Sequence, residues 1–431
     1  MLVGLGGLED PVYVDDVFKT KIYSGNSGSQ TITNGIDLSG EGGLVWLKAR
    51  EYSNQEHVLY DSERTFNRGL FSNTAGRDFD SYPPFSSWNN DGFTLNTSHY
   101  ATNNSALDYV SWTFRKQKGF FDVVTYTGAT NNTPQSISHN LGSVPGMILI
   151  KILNDSDDWH VYHRSLGATK NLRLNDTDAV RDEDSPFNDT EPTSTHFTVG
   201  NGSGTNAAGK NFVAYIFAHD YDYFGADGDE SIIKCGSYSS TGFVDLGFEP
   251  QWVMIKSTTE TNDYRGDWRI FDNIRGIKVG DDNQLFANED RAEDTGSFGN
   301  AIALNATGFT VEGQGNYGSS TIYMAIRRPH KVPTVATKVF KAITRTGTSA
   351  DIKVWNMGFA PDLFMSRARN NVGDQVFQVY DRFRGSLNVI RTRYSAGQNS
   401  YARSVTSFDS DGVSLGNDTF SGGVNYNASG A

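Results

Sequence analysis

Short runs of β-branched and aromatic residues alternate with turns of Gly, Asn, Asp, Ser and Pro along the whole chain. No long segment spaces its apolar residues as a helix would, so the pattern predicts strands. The runs at 147–150 and 252–255 are continuously apolar, which predicts strands in the middle of a sheet covered on both faces. Thr94 and Thr198 instead mark strands with one face in water. The sequence therefore predicts an all-β protein.

The same arrangement of runs recurs four times. Its clearest marker is a turn followed by an apolar run that ends in a cation, at Lys48, Lys151, Lys256 and Arg367. These cations are 103, 105 and 111 residues apart, and three further markers keep the same register. They are an aromatic run ending in a polar residue, a tight turn into a strand, and an aromatic closing strand. A repeat of about 105 residues has room for the eight to ten strands of a jelly-roll-like β-sandwich.

The repeat divides the chain into an N-terminal segment, 1–14, and a tandem array of four sandwiches. Units 1 to 4 are residues 15–117, 118–222, 223–330 and 331–431. The closing strand of unit 4 is expected at about 426–434, where the sequence stops, so we expect unit 4 to lack its final strand. A longer natural chain is the favoured explanation, and a strand from a neighbouring subunit is the other. The short joints between units predict a stiff row of sandwiches, which is a rod.

Composition and charge exclude several classes of protein. With 37 Lys+Arg against 50 Asp+Glu, the net charge is −13, too acidic for a protein that follows nucleic-acid phosphates. No apolar run approaches the roughly 18 residues of a membrane span, and the first residues lack the basic start of a secretory signal. The only cysteine, Cys235, excludes an intrachain disulfide framework and is predicted to be a small buried residue.

Three units carry an aspartate three residues before an arginine, and unit 2 has a histidine at the position of the aspartate. These residues are Asp61 and Arg64, Asp272 and Arg275, Asp381 and Arg384, and His163. Two facing carboxylates are the machinery of sugar hydrolysis. Because the residue recurs in several copies, an Asp–Arg pair that closes a turn is the favoured interpretation. No nucleophile, base and orienting group can be named together, so the sequence predicts no catalytic residue and no enzyme.

Two loops carry candidate binding residues. The first is rich in carboxylates, the ligands that calcium prefers, and its candidate ligands are Asp220, Asp222, Asp227 and Asp229. The alternative for this loop is a solvated acidic linker, and calcium is the one cofactor considered. The second loop carries rings that could form a platform against a sugar, namely Tyr82, Phe85 and Trp88. Packing at a strand edge is the alternative for these rings.

Taken together, the markers resemble the tandem sandwich units of tail and appendage proteins from marine bacteriophages, cyanophages in particular. The resemblance spans about residues 15 to 431 and is carried by residues 15–18, 23–26, 35–48 and 247–256. It implies a virion protein made in the host cytoplasm, with concanavalin-like or laminin-G-like sandwiches and no catalytic residues. The implied partners are other virion proteins and a host-surface glycan, held by many weak contacts. Analogy with fibres adds the expectation of a homo-oligomer, namely a trimer.

The leading hypothesis is therefore a non-enzymatic component of a phage tail fibre or appendage, with no nucleic-acid partner and no membrane insertion. The alternative is a lectin-like adhesin on the surface of a bacterium or secreted by it. A third hypothesis is a polysaccharide depolymerase, which requires paired carboxylates that are unique to one unit.

Overall fold

The fold is described by a computed structural model for residues 10–79, 84–262, 264–277, 282–294, 299, 301–346, 352–367, 376–392, 397–400, 404–409 and 411–416. Antiparallel sheets dominate it, and the helical segments among these residues are three or four residues long. This confirms the prediction of an all-β protein. No described helix has the length and apolar character needed to cross a membrane.

The strands fall into four groups along the chain. In unit 1 and the segment before it, the elements are α1 (Val14–Val17), β1 (Phe18–Ser24), β2 (Gln30–Thr33), β3 (Gly43–Ala49), β4 (Val58–Asp61), β5 (Leu70–Phe71), β6 (Phe85–Asn89), β7 (Gly92–Leu95) and β8 (Asp108–Arg115). In unit 2 they are β9 (Phe121–Thr127), a 3₁₀ turn (Thr130–Asn132), β10 (Gln135–Ser138), β11 (Met147–Ile152), β12 (His160–His163), β13 (Lys170–Arg173), β14 (Arg181–Asp182), β15 (His196–Val199), α2 (Ser203–Asn206) and β16 (Asn211–Phe217).

Units 3 and 4 continue the same sequence of strands. In unit 3 the elements are β17 (Ile233–Tyr238), β18 (Gly242–Asp245), β19 (Pro250–Ser257), β20 (Arg269–Asp272), β21 (Leu285–Phe286), β22 (Ile302–Asn305), β23 (Gly308–Val311), a 3₁₀ turn (Gly313–Gly315) and β24 (Thr321–Arg327). In unit 4 they are a 3₁₀ turn (Ala336–Lys338), β25 (Ile352–Asn356), β26 (Leu363–Ser366), β27 (Gln378–Asp381), β28 (Asn388–Arg391), β29 (Asn399–Ser400), β30 (Val405–Asp409) and β31 (Gly412–Leu415).

Units 1 to 3 each contain a large sheet in which the strands follow the same order. The orders are β1-β8-β3-β4-β5, β9-β16-β11-β12-β13-β14 and β17-β24-β19-β20-β21. The closing strand of each unit therefore lies between the first strand and the continuously apolar third strand. A smaller sheet completes each unit, in the orders β2-β7-β6, β10-β15 and β18-β23-β22. Each sheet takes all its strands from one predicted unit, while the boundaries of the units stay predictions.

The outer faces of the three large sheets pack against one another. One continuous apolar core contains residues from units 1, 2 and 3, and separate apolar clusters lie within units 1, 3 and 4. Along β3, Leu44 and Trp46 belong to the shared core, whereas Val45 and Leu47 belong to the core inside unit 1. Successive side chains of a strand point to opposite faces, so both faces of this sheet are covered. This explains why the central strands are apolar without interruption.

Units 1 to 3 form a closed ring, and the predicted rod was wrong. Main-chain hydrogen bonds join each neighbouring pair of units, including unit 3 to unit 1. They run from Asp78 N to Leu153 O (3.1 Å), from Val180 N to Thr258 O (2.9 Å) and from Glu293 N to Arg50 O (2.7 Å). A sequence period specifies what a unit contains but not the angle between consecutive units. The ring forms because it removes three apolar sheet faces from water.

The lysines that end the apolar runs of units 1 to 3 link neighbouring units of the ring. Lys48, Lys151 and Lys256 have no exposed surface, although lysine is almost never fully buried. Each Nζ donates to a carbonyl oxygen of the adjacent unit. The acceptors are Asp290 O at 3.5 Å, Ala75 O at 2.9 Å, and Thr177 O and Asp178 O at 3.2 and 2.9 Å respectively. Burial lowers the pKa of each of the three lysines to about 8.

We expect the free energy of unfolding to rise between about pH 8 and pH 9. The folded-state pKa of these lysines is about 8 and the ordinary value is 10.5, so the unfolded chain binds more protons in this window. Each lysine should contribute about 1–3 kcal/mol to the rise. Above about pH 9 the rise should be progressively offset and then reversed, because burial raises the pKa of the Cys235 thiol and of tyrosines such as Tyr215, which then ionise only in the unfolded chain. Urea denaturation at a series of pH values measures this profile.

Two variants test whether the lysines cause this rise. Lys256→Met should reduce it by roughly a third, because one of three similar links is lost. Lys170→Met is the control, since this lysine lies in a surface ion pair with Asp182 and its side chain is 37% exposed. The control should keep the wild-type slope. A wild-type profile that is flat between pH 8 and pH 9 would contradict the prediction.

Unit 4 stands outside the ring and has two sheets, β25-β31-β30 and β26-β27-β28-β29. Strand β26 of unit 4 corresponds to the third strand of each ring unit, namely β3, β11 and β19. Among the residues that the structure describes, β26 pairs with β27 alone. The predicted absence of a closing strand concerns residues near 426–434, which lie outside the described residues. Charged pairs hold unit 4 to unit 3, such as Arg382 with Glu249 at 2.8 Å.

Candidate interaction surface of unit 4

The Asp–Arg pairs close turns, as the sequence analysis predicted. Asp61 Oδ2 accepts a hydrogen bond from Arg64 Nε at 2.7 Å, and Asp61 Oδ1 accepts from the main-chain N–H of Arg64 at 3.0 Å. The pairs in units 3 and 4 repeat this arrangement, with Nε–Oδ2 distances of 2.5 Å. In unit 2, His163 Nδ1 takes the role of the carboxylate and accepts from Ser165 N at 3.2 Å. The predicted Asp–Arg turn pair is therefore present in units 1, 3 and 4.

Three of these turn residues also bond the adjacent unit of the ring. Tyr215 Oη donates to Asp61 Oδ2 at 2.7 Å, and Trp112 Nε1 donates to Asp272 Oδ2 at 3.0 Å. His163 Nε2 lies 3.1 Å from the carbonyl oxygen of Tyr323, and burial lowers the pKa of His163 to about 4. These partners all lie on closing strands. Repeated polar residues that resemble catalytic groups are thus links between sandwiches.

The predicted sugar platform of Tyr82, Phe85 and Trp88 loses Phe85 to the core of unit 1. Tyr82 lies outside the described residues. The Phe85 ring has no exposed surface and packs 5.0 Å from the Tyr60 ring and 5.4 Å from the Phe93 ring, between centroids. Trp88 is partly buried and packs 4.3 Å from Phe85. The platform prediction was wrong for Phe85, because a ring in the core of a sandwich cannot face a sugar.

The predicted calcium loop and Cys235 are both described. Asp220 of the loop forms an ion pair with Lys234 at 3.1 Å. Among the residues that the structure describes, no three His, Cys, Asp or Glu side chains come together to hold a metal ion. The structure therefore gives no support to calcium binding by Asp220, Asp222, Asp227 and Asp229.

Cys235 is buried, as predicted, and burial raises the pKa of its thiol.

A cavity of about 1690 Å³ lies between the ring, the sheets of unit 4, and residues 331–346 of unit 4, which precede these sheets and which we call the linker. Its lining includes Lys338, Lys341 and Arg345 from the linker. In all, eight Lys or Arg and four Asp line the cavity, whereas the whole chain carries a net charge of −13. Cations also stack on rings here: Arg345 Cζ lies 5.0 Å from the ring centroid of Trp355. The cavity is therefore a cationic and aromatic site on an acidic protein.

The large sheet of unit 4 exposes a face that units 1 to 3 bury. In each ring unit, one apolar row crosses the third, fourth and fifth strands and belongs to the shared core. The rows are Trp46, Leu59 and Leu70 in unit 1; Leu149, Val161 and Leu172 in unit 2; and Met254, Ile270 and Leu285 in unit 3. The same pairing in unit 4 aligns Met365, Val379 and Ile390, which we call the apolar row of unit 4. The Met365 side chain is 50% exposed and Ile390 is 42% exposed.

Sequence reasoning missed both features of this surface. Arg367 was noted as a repeat marker, and its Cζ lies over the ring of Phe377 at 5.4 Å, on the lining of the cavity. The apolar row was visible as part of the repeat. Nothing in the sequence, however, distinguished an exposed copy of the row from three buried copies.

The chain matches a known protein-family model. A family model described as "Domain of unknown function (DUF7483)" matches residues 14–328 and 335–431. A search of curated proteins finds no match.

Proposed function

We propose that this chain, which belongs to the DUF7483 family, is a non-enzymatic structural component of a phage tail fibre or appendage. The closed ring is the observation that carries the proposal. Its repeated polar residues, such as Asp61, Asp272 and His163, are used to hold neighbouring sandwiches together. A set of sandwiches around one core gives a stiff module, which suits a particle that must survive outside a cell. The resemblance to marine phage tail proteins supports the same function.

We also propose that the cavity beside unit 4 contributes to attachment by binding an acidic glycan of the host surface. Lys and Arg pair with the carboxylate, sulfate or phosphate groups of such a glycan. Rings such as those of Trp355 and Phe377 offer apolar contact area to the faces of the sugars. The excess of cations over carboxylates in the lining favours an acidic glycan over a neutral one.

The structural part of the proposal is tested on virions. An antibody against the chain should label the tail or an appendage of the phage that encodes it, and mass spectrometry should detect the chain in purified particles. Detection of the chain on bacterial cells, together with its absence from particles, would overturn the proposal in favour of the adhesin.

The attachment part is tested by binding of polysaccharides to the 431-residue chain. We expect an acidic polysaccharide to bind and its carboxyl-reduced form to bind at least tenfold more weakly, with an affinity that falls as salt is added. The double variant Lys338→Gln, Lys341→Gln should weaken binding about tenfold, at roughly 0.7 kcal/mol for each exposed charge. Surface plasmon resonance measures both effects.

The control for this experiment is Lys170→Gln, which removes a charge from the ring surface and should leave the affinity unchanged. Equal binding of the acidic and reduced polysaccharides would contradict the attachment proposal. Release of new reducing ends during incubation would instead contradict the non-enzymatic assignment and support the depolymerase.

A further inference from the structure

We infer that unit 3 binds a small oxyanion, such as phosphate or sulfate, at the buried guanidinium of Arg269. The site lies inside one sandwich of the ring and shares none of the described residues that line the cavity beside unit 4. The inference therefore does not depend on the proposed function.

Arg269 begins β20, and its side chain lies on the inner face of the unit 3 sandwich. Phe271, two residues further on, belongs to the core inside unit 3, whereas Ile270 belongs to the shared core of the ring. Alternate residues of a strand share a face, and Arg269 Cζ lies 5.4 Å from the centroid of the Phe271 ring. Arg269 is 2% exposed. The fold thus holds a permanent positive charge inside a sandwich.

The Arg269 guanidinium forms no ion pair with a carboxylate among the residues that the structure describes. Its Nε donates to Gln284 Oε1 at 2.7 Å and its Nη1 donates to the carbonyl oxygen of Gln314, while its buried Nη2 has no acceptor there. The buried Arg64 and Arg275, in contrast, pair with aspartates at 2.7 and 2.5 Å. A buried charge without a counter-charge is costly, so an anion that accepts from Nη2 would be stabilised here.

Two carboxylates act on Arg269 from neighbouring positions, but both are bonded to other groups. Asp267 Oδ1 accepts from Asn288 Nδ2 at 2.7 Å, and Asp282 Oδ2 accepts from the main-chain N–H of Ala301 at 2.9 Å. Burial lowers the pKa of Arg269, and the negative charges of Asp267 and Asp282 oppose this only in part. The described carboxylates therefore do not replace the missing counter-charge.

The repeat shows that the fold does not require a cation at this position. By strand register, the residues equivalent to Arg269 are Val58 in unit 1, His160 in unit 2 and Gln378 in unit 4. Val58 is fully buried in the core inside unit 1. An apolar residue therefore fills the position without burying a charge. A buried charge where the fold accepts valine is typical of a residue kept for binding.

Neighbouring side chains orient the guanidinium and add a second cation. Gln284 Nε2 donates to Asp294 Oδ2 at 2.9 Å, which turns Gln284 Oε1 toward Arg269. The Cζ atoms of Arg269 and Arg265 lie 5.5 and 5.6 Å from the centroid of the Tyr317 ring. Arg265 is exposed and also has no ion pair among the described residues. Two arginines without acidic partners thus meet at one ring.

The shape and depth of the site indicate the class of ligand. The arginine fork matches two oxygens of a phosphate or sulfate group. Gln314 is an exposed residue, so the guanidinium that bonds its carbonyl lies directly beneath the surface. An anion that displaced this carbonyl would accept from Nη1 and Nη2 of Arg269 together. Because the guanidinium is almost fully buried, the site suits a small free anion and excludes a bulky ester.

The inference is tested by isothermal titration calorimetry of inorganic phosphate into the 431-residue chain at constant ionic strength. We expect saturable binding at one site per chain with a dissociation constant of about 1 mM. Arg269→Leu should bind phosphate at least about tenfold more weakly, because the donors are lost. Its melting temperature should equal or exceed that of the wild type, because the unpaired buried charge is removed.

Arg181→Leu is the matched control, since Arg181 is a surface arginine that already pairs with Asp178 and Glu183. It should keep the wild-type affinity. If Arg269→Leu fails to fold, Arg265→Gln takes its place and should weaken binding roughly threefold, as expected for an exposed charge. Absence of saturable binding up to about 20 mM phosphate would overturn the inference. Equal affinities of the wild type and the variant tested would also overturn it.

Two further measurements separate this site from other sources of binding. Glucose 6-phosphate should bind at least about tenfold more weakly than inorganic phosphate, and equal binding would overturn the assignment of a small free anion. The variant Lys338→Gln, Lys341→Gln should keep the wild-type phosphate affinity. Its loss there would place the anion in the cavity beside unit 4 and overturn the inference. Loss of polysaccharide binding with phosphate binding intact would contradict only the attachment proposal.

Discussion

Replacement of Asp272 by alanine is expected to lower the free energy of unfolding by about 3–5 kcal/mol. The carboxylate is fully buried and accepts hydrogen bonds from Arg275 and from Trp112 of the adjacent unit. Its removal leaves a buried guanidinium without its closest partner and a buried indole N–H without its acceptor. Urea denaturation followed by circular dichroism measures the loss.

The control is Asp381→Ala, which breaks the equivalent pair in unit 4. This pair has the same local geometry, but its side chains are about a quarter exposed. Water can solvate Arg384 after the substitution, so we expect a loss of roughly 1 kcal/mol. Equal losses from the two substitutions would show that the contact between units adds nothing to the local turn.

Replacement of Trp112 by alanine is expected to cost about 3–5 kcal/mol and to destabilise all three ring units together. The Trp112 ring packs 5.9 Å from the ring of Trp46 in its own unit and 6.4 Å from that of Trp252 in unit 3, between centroids. The cavity left by the substitution would therefore lie in the core that the units share. Amide hydrogen exchange should become faster in strands of units 2 and 3 as well as in unit 1.

Val413→Ala provides the comparison for this experiment. Val413 is fully buried, but it belongs to the separate apolar core of unit 4. We expect faster exchange in unit 4 and unchanged exchange in the ring. If Trp112→Ala accelerates exchange in unit 1 alone, the three units do not unfold as one cooperative structure.

The sequence predicted the features that local chemistry decides. The all-β class follows from short β-branched and aromatic runs between turns, and the central position of residues 147–150 follows from a run without polar interruption. The Asp61–Arg64 pair was predictable because its partners are three residues apart and share one turn. Burial of Cys235 followed from its residue type, because free cysteine is among the most often buried residues. None of these requires knowledge of how distant segments meet.

The tertiary structure decided how the sandwiches are used. Lys151 marked the end of a run in the sequence, but its role as a link appears only where the carbonyl of Ala75 meets it from another unit. Phe85 belongs to an aromatic loop segment that predicted a binding platform, but its ring lies in the core of unit 1. Whether a ring is buried depends on the side chains that pack over it, and the sequence pattern does not give these. The arrangement of units 1 to 3 as a ring, where a rod was predicted, likewise depends on which surfaces pack together. Periodicity along a chain specifies each sheet and its two faces, whereas the faces that meet are chosen by contacts between residues far apart in sequence.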